Sequence, residues 1–219
     1  MKSYVVISCH MIEKELMELM KKYNVSWPVY FIPPDLHGDM DKLRNYLQNI
    51  IDNVRNVDAV ILTISRCGNA TVGLKATSAD LILPRCADCI DLLLSEDKLE
   101  DRKRPMYSIF MTESWVTATE DSEYSYEHLC ECHGEETAKA ILDAMYDKYQ
   151  YYCLLDTGVY DIDLVKEYVT PKAELLGMEI KKLPACCGAL KKLVKGEFDD
   201  DFLRVPQGES IRESDFLIM

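Results

Sequence analysis

The segment Asp58–Ile64 reads DAVILTI, a nearly continuous apolar run rich in β-branched residues. A strand with one wet face alternates polar and apolar side chains; an unbroken run belongs to a strand covered on both faces. Covering both faces requires helices on each side, hence crossover connections and a mainly parallel sheet. The flanking segments supply these parts. Val5–Cys9 is a short β-branched run, and Ile12, Leu16, Leu19, Met20 and Tyr23 then follow at helical spacing. Val29–Ile32 is a second strand, stopped by Pro33 and Pro34. Met40, Leu43, Leu47, Ile50, Ile51 and Val54 share one helix face, with Asp39 or Asp41 serving its N-terminus. Leu81–Leu83 is a strand closed by Pro84, and Ile90–Leu94 is helical.

The charged stretch Glu96–Arg104 (EDKLEDRKR) interrupts the pattern, which then restarts. Met106–Met111, Tyr151–Leu155 and Met178–Leu183 are strands. Tyr124–Tyr149 holds one or two helices, Asp161–Leu176 a helix ending at Gly177, and Ala189–Val194 a short one. An acidic tail from Phe198 to Ile211 contains a last strand at Phe202–Val205. The expected fold is α/β: a mainly parallel sheet flanked by helices, arranged as two Rossmann-like halves, 1–100 and 101–219. One continuous sheet is the alternative.

Composition excludes partners rather than naming them. The chain has 219 residues, and 25 Lys and Arg against 38 Asp and Glu leave a net charge of −13. That balance opposes nucleic-acid binding and docking on an anionic membrane. No apolar stretch approaches the roughly 18 residues of a bilayer span. The N-terminus, MKSYVVISCH, lacks a secretory pattern, so a cytoplasmic location is expected.

The nine cysteines are unusual for such a protein. Reducing compartments disfavour disulfides, and an odd count cannot pair fully. Their positions are informative. Cys9 follows the first strand, Cys67 the Asp58–Ile64 strand, Cys86 and Cys89 the Leu81–Leu83 strand, and Cys186 and Cys187 the Met178–Leu183 strand. Open parallel sheets bind ligands beyond the carboxyl ends of their strands. Cys86-x-x-Cys89 has the spacing of two metal thiolates, and Cys9, Cys67, Cys186 or Cys187 could complete a set of the kind zinc or an iron–sulfur cluster uses. The competing reading is tight packing of small side chains at strand ends. Cys153 lies inside a strand and is expected in the core. The group His128, Cys130, Cys132 and His133 is expected to be an ordinary helix end before Gly134, with His128 and Cys132 on one face.

Other strand-end residues join the candidates. His37 precedes the Asp39 helix and can ligate metal or move protons; His10 adjoins Cys9. Arg66 and Arg85 can hold a small anionic ligand, or pair with Asp88 or Asp91. Trp115 can wall a pocket or cover the core. Asp156 can cap, ligate or act as a base. Glycine-rich phosphate loops and a G-x-S-x-G elbow are absent from the sequence.

These motifs together resemble the domain-of-unknown-function family 1638. Leu36-His37 before a helix, Cys67-Gly68-Asn69 with Val72-Gly73-Leu74, Pro84-Arg85 through Asp88-Cys89-Ile90, Trp115, Asp156 through Asp161, and the ending from Gly196 to Gly208 carry the likeness. The family typically has His or a similar residue just before its Asp-Cys pair, where this chain has Ala87 beside Cys86. Family members occur in anaerobic bacteria and methanogens, often beside corrinoid proteins and their methyltransferases. The resemblance therefore implies anaerobic one-carbon metabolism.

The leading expectation is a Cys/His metal centre, zinc or iron–sulfur, built from Cys9, His37, Cys67, Cys86 and Cys89. It would work in methyl transfer or cofactor activation with a corrinoid partner. One alternative is a non-catalytic metal or cofactor carrier for a corrinoid protein. Another is a metal-free thiol enzyme with Cys67 or Cys89 as nucleophile and His37 as its activator.

Overall fold

The computed structural model describes residues 2–119 and 125–216. Its strands are β1 (Tyr4–Cys9), β2 (Val29–Ile32), β3 (Ala59–Leu62), β4 (Asp80–Pro84), β5 (Ser108–Met111), β6 (Tyr151–Asp156), β7 (Glu179–Pro184) and β8 (Phe202–Val205). Its α-helices are α1 (Glu13–Lys22), α2 (Met40–Asn53), α3 (Cys89–Leu94), α4 (Glu113–Thr119), α5 (Tyr126–His133), α6 (Glu135–Tyr146), α7 (Ile162–Leu176) and α8 (Gly188–Lys195).

The strands form two sheets, in the orders β2-β1-β3-β4-β8 and β5-β6-β7. All pairings are parallel except β4–β8, where Leu81 faces Val205 and Pro84 faces Phe202. Two compact units follow: Met1–Lys103 with Ala185–Met219, and Arg104–Pro184. The expected division near residue 100 and the observed one differ over residues 185–219. This stretch returns to the first unit because β8 hydrogen-bonds along β4 and α8 packs on α3 and α1.

In the first unit the apolar run behaves as its composition requires. Every residue of β3 is buried, with Val60, Ile61 and Leu62 fully so. Leu16 of α1, Leu43, Leu47 and Ile51 of α2, Leu92 and Leu93 of α3, and Leu190 and Leu193 of α8 are also fully buried. Burying a side chain of this size contributes roughly 1.5–3 kcal/mol. Asp39 caps α2 by accepting from the backbone N–H groups of Asp41 and Lys42, at 3.1 and 3.0 Å.

In the second unit, β5, β6 and α7 enclose a core of Met111, Tyr152, Leu154, Val165 and Val169. α7 ends at Gly177, whose φ of 65° is left-handed, as the sequence suggests. The Tyr124–Tyr149 segment is two helices, broken at Gly134 with φ 81°; the expected start at Tyr124 lies outside the described residues. α4 is a helix that no strong periodicity announced. No helix among the described residues is long and apolar enough to cross a membrane.

Candidate functional site

β1 lies between β2 and β3, so the chain leaves it to one side and returns on the other. A crevice beyond the carboxyl ends of the strands is expected at such a switch point. Cys9 is the last residue of β1. Its backbone is fixed from β3's side: the Cys9 N–H donates to Thr63 Oγ1 at 3.2 Å, and Thr63 Oγ1 donates to Ser8 Oγ at 2.9 Å. Cys9 as a whole is only 3 % exposed.

Two other loops deliver donors to Cys9. Pro33 and Pro34 end β2 and lead into a 3-10 turn, Pro34–Gly38, which carries His37. His37 Nε2 lies 3.3 Å from Cys9 Sγ, and Nδ1 lies 3.2 Å from the Pro34 carbonyl oxygen. After β4, Asp88 caps α3 by accepting the Ile90 N–H at 3.0 Å, and Cys89 opens the helix. The Cys89 thiol donates to Cys9 Sγ across 3.8 Å and has Met11 Sδ at the same distance. The loop before Cys89 is held from below. Asp91, fully buried, accepts the Ala87 N–H at 3.0 Å and pairs with Arg102 Nε at 3.1 Å.

The electrostatics follow from these contacts. The donating Cys89 thiol, and then His37, stabilise the Cys9 thiolate against the opposing effect of burial, so the Cys9 pKa is lowered well below the ordinary thiol value. The same contacts raise the partners. Cys89, which gives its proton toward Cys9 in a buried place, is raised, and the Cys9 contact raises His37. A thiolate beside an imidazolium is the state this geometry favours, with the ring donating to Cys9 on one side and to Pro34 on the other.

An open pocket of about 490 Å³ adjoins this group, lined by His37, Met40, Arg66, Cys67, Asn69 and Asp88 among others. Its wall after β3 is locked to the loop after β4: the Arg66 N–H donates to the Cys86 carbonyl at 3.2 Å and the Cys67 N–H to the Ala87 carbonyl at 2.7 Å. Cys67, Gly68 and Asn69 follow one another at φ 41°, 62° and 71°. Each left-handed non-glycine residue costs roughly 1–2 kcal/mol. At Gly68 a side chain would also meet Met40 Sδ at 3.0 Å. Strain of this kind gathers at functional sites. Burial, with Cys9 and Asp88 nearby, pushes the Cys67 thiol up to about 12, so Cys67 stays protonated on the pocket wall.

The structure brings together Cys9, His37 and Cys89, with Cys67 and Arg66 on the adjoining wall. It separates the two thiols of Cys86-x-x-Cys89. Cys86 is buried and turned back, donating to the Asp88 carbonyl at 3.4 Å, and its pKa is raised by burial. Cys187 contacts the Ala185 carbonyl, its thiol pushed to about 12 by burial, while Cys186 is exposed. Cys153 is fully buried in the core of the second unit. His10 pairs with Glu13 at 2.8 Å. His128 and Cys132 share a helix face, 3.4 Å apart.

The remaining candidates have structural partners. Arg66 donates to Asn69 Oδ1 and to Glu213 Oε1, both at 2.6 Å, and Arg85 donates to the Asp215 carbonyl. Trp115 packs against the core of the second unit. Asp156 pairs with Lys182 at 3.0 Å and accepts the Gly158 N–H at 3.3 Å. Sequence reasoning missed the C-terminal contacts to both arginines and the thioether of Met11 beside Cys89. The only signal for the latter was its position two residues past Cys9.

Among the described residues, no three His, Cys, Asp or Glu side chains gather into a group that could hold a metal ion. Cys9 instead stands as the middle member, between a donor on either side.

A model of the family described as Protein of unknown function (DUF1638) matches residues 31–194. The match includes His37, Arg66, Cys67 and Cys89; Cys9 and Glu213 lie outside it. No curated protein and no solved structure matches the chain.

Proposed function

The chain belongs to the family described as Protein of unknown function (DUF1638), and from that premise we propose that it is a thiol-dependent enzyme whose nucleophile is Cys9. The observation that supports this most is the placing of Cys9 Sγ 3.3 Å from His37 Nε2 and 3.8 Å from the Cys89 thiol. Two donors on one sulfur favour the thiolate, which is the nucleophilic form. The nucleophile differs from the Cys67 or Cys89 expected from sequence. Cys67 is held protonated, and Cys89 donates rather than accepts.

Burial bounds the substrate. At 3 % exposure, Cys9 takes a small group without a large movement of its surroundings. In the one-carbon setting that the family resemblance implies, that group is a methyl or another one-carbon unit carried by a corrinoid partner. Sulfur forms a bond to the carbon, and the donor's bond to that carbon breaks with its electron pair remaining on the donor. His37 and Cys89 lower the thiolate's energy before attack and hold it in place.

A second reading, the metal centre expected from the sequence, is favoured by the Cys9–Cys89 distance alone, since the described residues hold no ready group of three donors. In a tetrahedral site with metal–sulfur bonds near ~2.3 Å and metal–nitrogen bonds near ~2.0 Å, neighbouring donors stand about 3.5–3.8 Å apart, a spacing that Cys9 and Cys89 meet at 3.8 Å and that Cys9 and His37, at 3.3 Å, would reach only by moving apart. Cys9, Cys89 and His37 would be the ligands, and soft zinc- or iron-type chemistry would suit them. The metal would act as a Lewis acid or thiolate carrier.

Anaerobic purification followed by metal analysis, a visible spectrum and alkylation mapping separates the two. The thiol reading expects iodoacetamide to label Cys9 ahead of Cys67 and Cys86, without stoichiometric metal. Stoichiometric zinc or iron that is lost in both Cys9→Ser and Cys89→Ser would replace the first reading with the second. Preferential labelling of Cys67 would sink the first.

A further inference from the structure

We propose that Arg66 is the anion-binding residue of the pocket, and that Glu213 holds its guanidinium in place of the phosphate or carboxylate group of a small ligand. The proposal deepens the reading above by assigning a substrate class to the pocket beside Cys9.

Arg66 is prepared for such a role. Its Nε donates to Asn69 Oδ1 at 2.6 Å, which sets the plane of the guanidinium, and the Asn69 carbonyl is in turn held by Arg44 Nη2 at 2.9 Å. Nη2 then points to Glu213 Oε1 at 2.6 Å. A planar guanidinium with one edge fixed and another offered to a carboxylate is the usual means of recognising an oxyanion. Arg66 also lines the pocket alongside His37 and Cys67. Arg85 differs, since it gives Nη1 to the Asp215 backbone and so anchors the C-terminal segment.

Glu213 is not needed to hold that segment down. Backbone hydrogen bonds join it to the loop after β3: Gly73 N–H to the Ile211 carbonyl, Ile211 N–H to the Leu74 carbonyl, Ala76 N–H to the Glu209 carbonyl and Gly208 N–H to the Ala76 carbonyl, all within 2.8–2.9 Å. Ile211 and Phe216 are buried on either side of Glu213. The Glu213 side chain is itself 66 % exposed. It can swing out while the backbone stays zipped, and an exposed ion pair is weak enough to be displaced. Glu213 therefore acts as an internal competitor, neutralising Arg66 while the pocket lacks an anion. Asp88, which also lines the pocket and accepts the Ile90 N–H, repels a second anionic group and so favours a ligand with a single one directed at Arg66.

The test is a titration of the full chain with inorganic phosphate and, separately, with acetate, read by calorimetry or by chemical-shift changes. Glu213→Gln is expected to bind the preferred anion about two- to fivefold tighter than the wild type, in keeping with removal of an exposed ion pair. Glu179→Gln, which changes the net charge equally on the other unit, is expected to leave the affinity unchanged. Arg66→Met should weaken binding at least about tenfold, and Arg66→Lys should restore part of it. Unfolding midpoints of the variants confirm that each is folded. Equal effects of Glu213→Gln and Glu179→Gln would overturn the proposal. So would wild-type affinity in Arg66→Met, or no binding of either anion by any form. Because binding is read without modifying Cys9, failure of the thiolate reading would leave this result standing, and the reverse also holds.

Discussion

Replacing Cys89 with Ala removes one donor from the Cys9 sulfur and nothing else that is charged. The Cys89 thiol is the largest influence lowering the Cys9 pKa, so the variant raises that pKa toward the ordinary thiol value. A hydrogen bond to a charged acceptor is worth roughly 1.5–3 kcal/mol, and a thiol donor across 3.8 Å belongs at the lower end. Losing about 1.4 kcal/mol shifts the thiol–thiolate equilibrium about tenfold. Burial sharpens the effect, because water has little access to replace the lost donor at a residue that is 3 % exposed. Cys89→Ser keeps a proton to donate and should retain most of the thiolate. The assay is the second-order rate of iodoacetamide labelling at Cys9, followed by peptide mass spectrometry across pH. Cys89→Ala should need a pH about one unit higher for half-maximal labelling, with Cys89→Ser between it and wild type. An unchanged pH profile in Cys89→Ala would refute the reasoning, and a faster rate would mean that Cys89, rather than Cys9, holds the negative charge.

Other consequences follow from the same contacts. The Cys9–His37 pair should contribute stability in a window. Cys9, with a lowered folded pKa, loses its contribution as pH falls through that pKa; His37, with a raised one, loses its contribution as pH rises through its own value. A comparison of wild type with Cys9→Ala/His37→Ala in urea melts across pH should show the largest gap between those two pKa values, and a flat difference would count against the ion pair. Gly188→Ala should destabilise the first unit by about 3 kcal/mol or more, because its Cβ would sit 1.6 Å from the Glu96 carbonyl oxygen at the start of α8; a urea midpoint within error of wild type would contradict this packing. Arg102→Met leaves the fully buried Asp91 without its cation, an effect of about 3–5 kcal/mol for buried pairs, measured by the same melt.

The unbroken burial of Val60, Ile61 and Leu62 was legible from DAVILTI, because a strand with no polar face has to be covered twice. The parallel sheets, the Asp39 cap and the left-handed Gly177 were legible for similar local reasons. So was the clustering of candidate groups at strand ends, since all parallel strands of a sheet finish on one edge. The return of residues 185–219 to the first sheet was not. The β8 sequence specifies a strand, but its partner β4 lies far away in the chain, and pairing at that separation is decided by which edge is left open.

The candidate site divides in the same way. The sequence alone determined which residue types reach the carboxyl edge: Cys9 ends an apolar strand, and His37, Arg66, Cys67, Cys86 and Cys89 each follow one. Tertiary structure alone decided which of them meet. Cys86 and Cys89 have the spacing of a metal pair, yet Cys86 lies in the loop before α3 with its sulfur on the Asp88 carbonyl, while Cys89 opens the helix with its sulfur on Cys9. Cys9 and Cys89 are 80 residues apart in the chain, and their contact depends on β1 and β4 flanking β3 in register. Glu213 reaches Arg66 because the C-terminal backbone pairs with the loop after β3. Local pattern fixes the direction and the end of each strand; a contact between loops depends on strand order and side-chain angle, which only the packed sheet supplies.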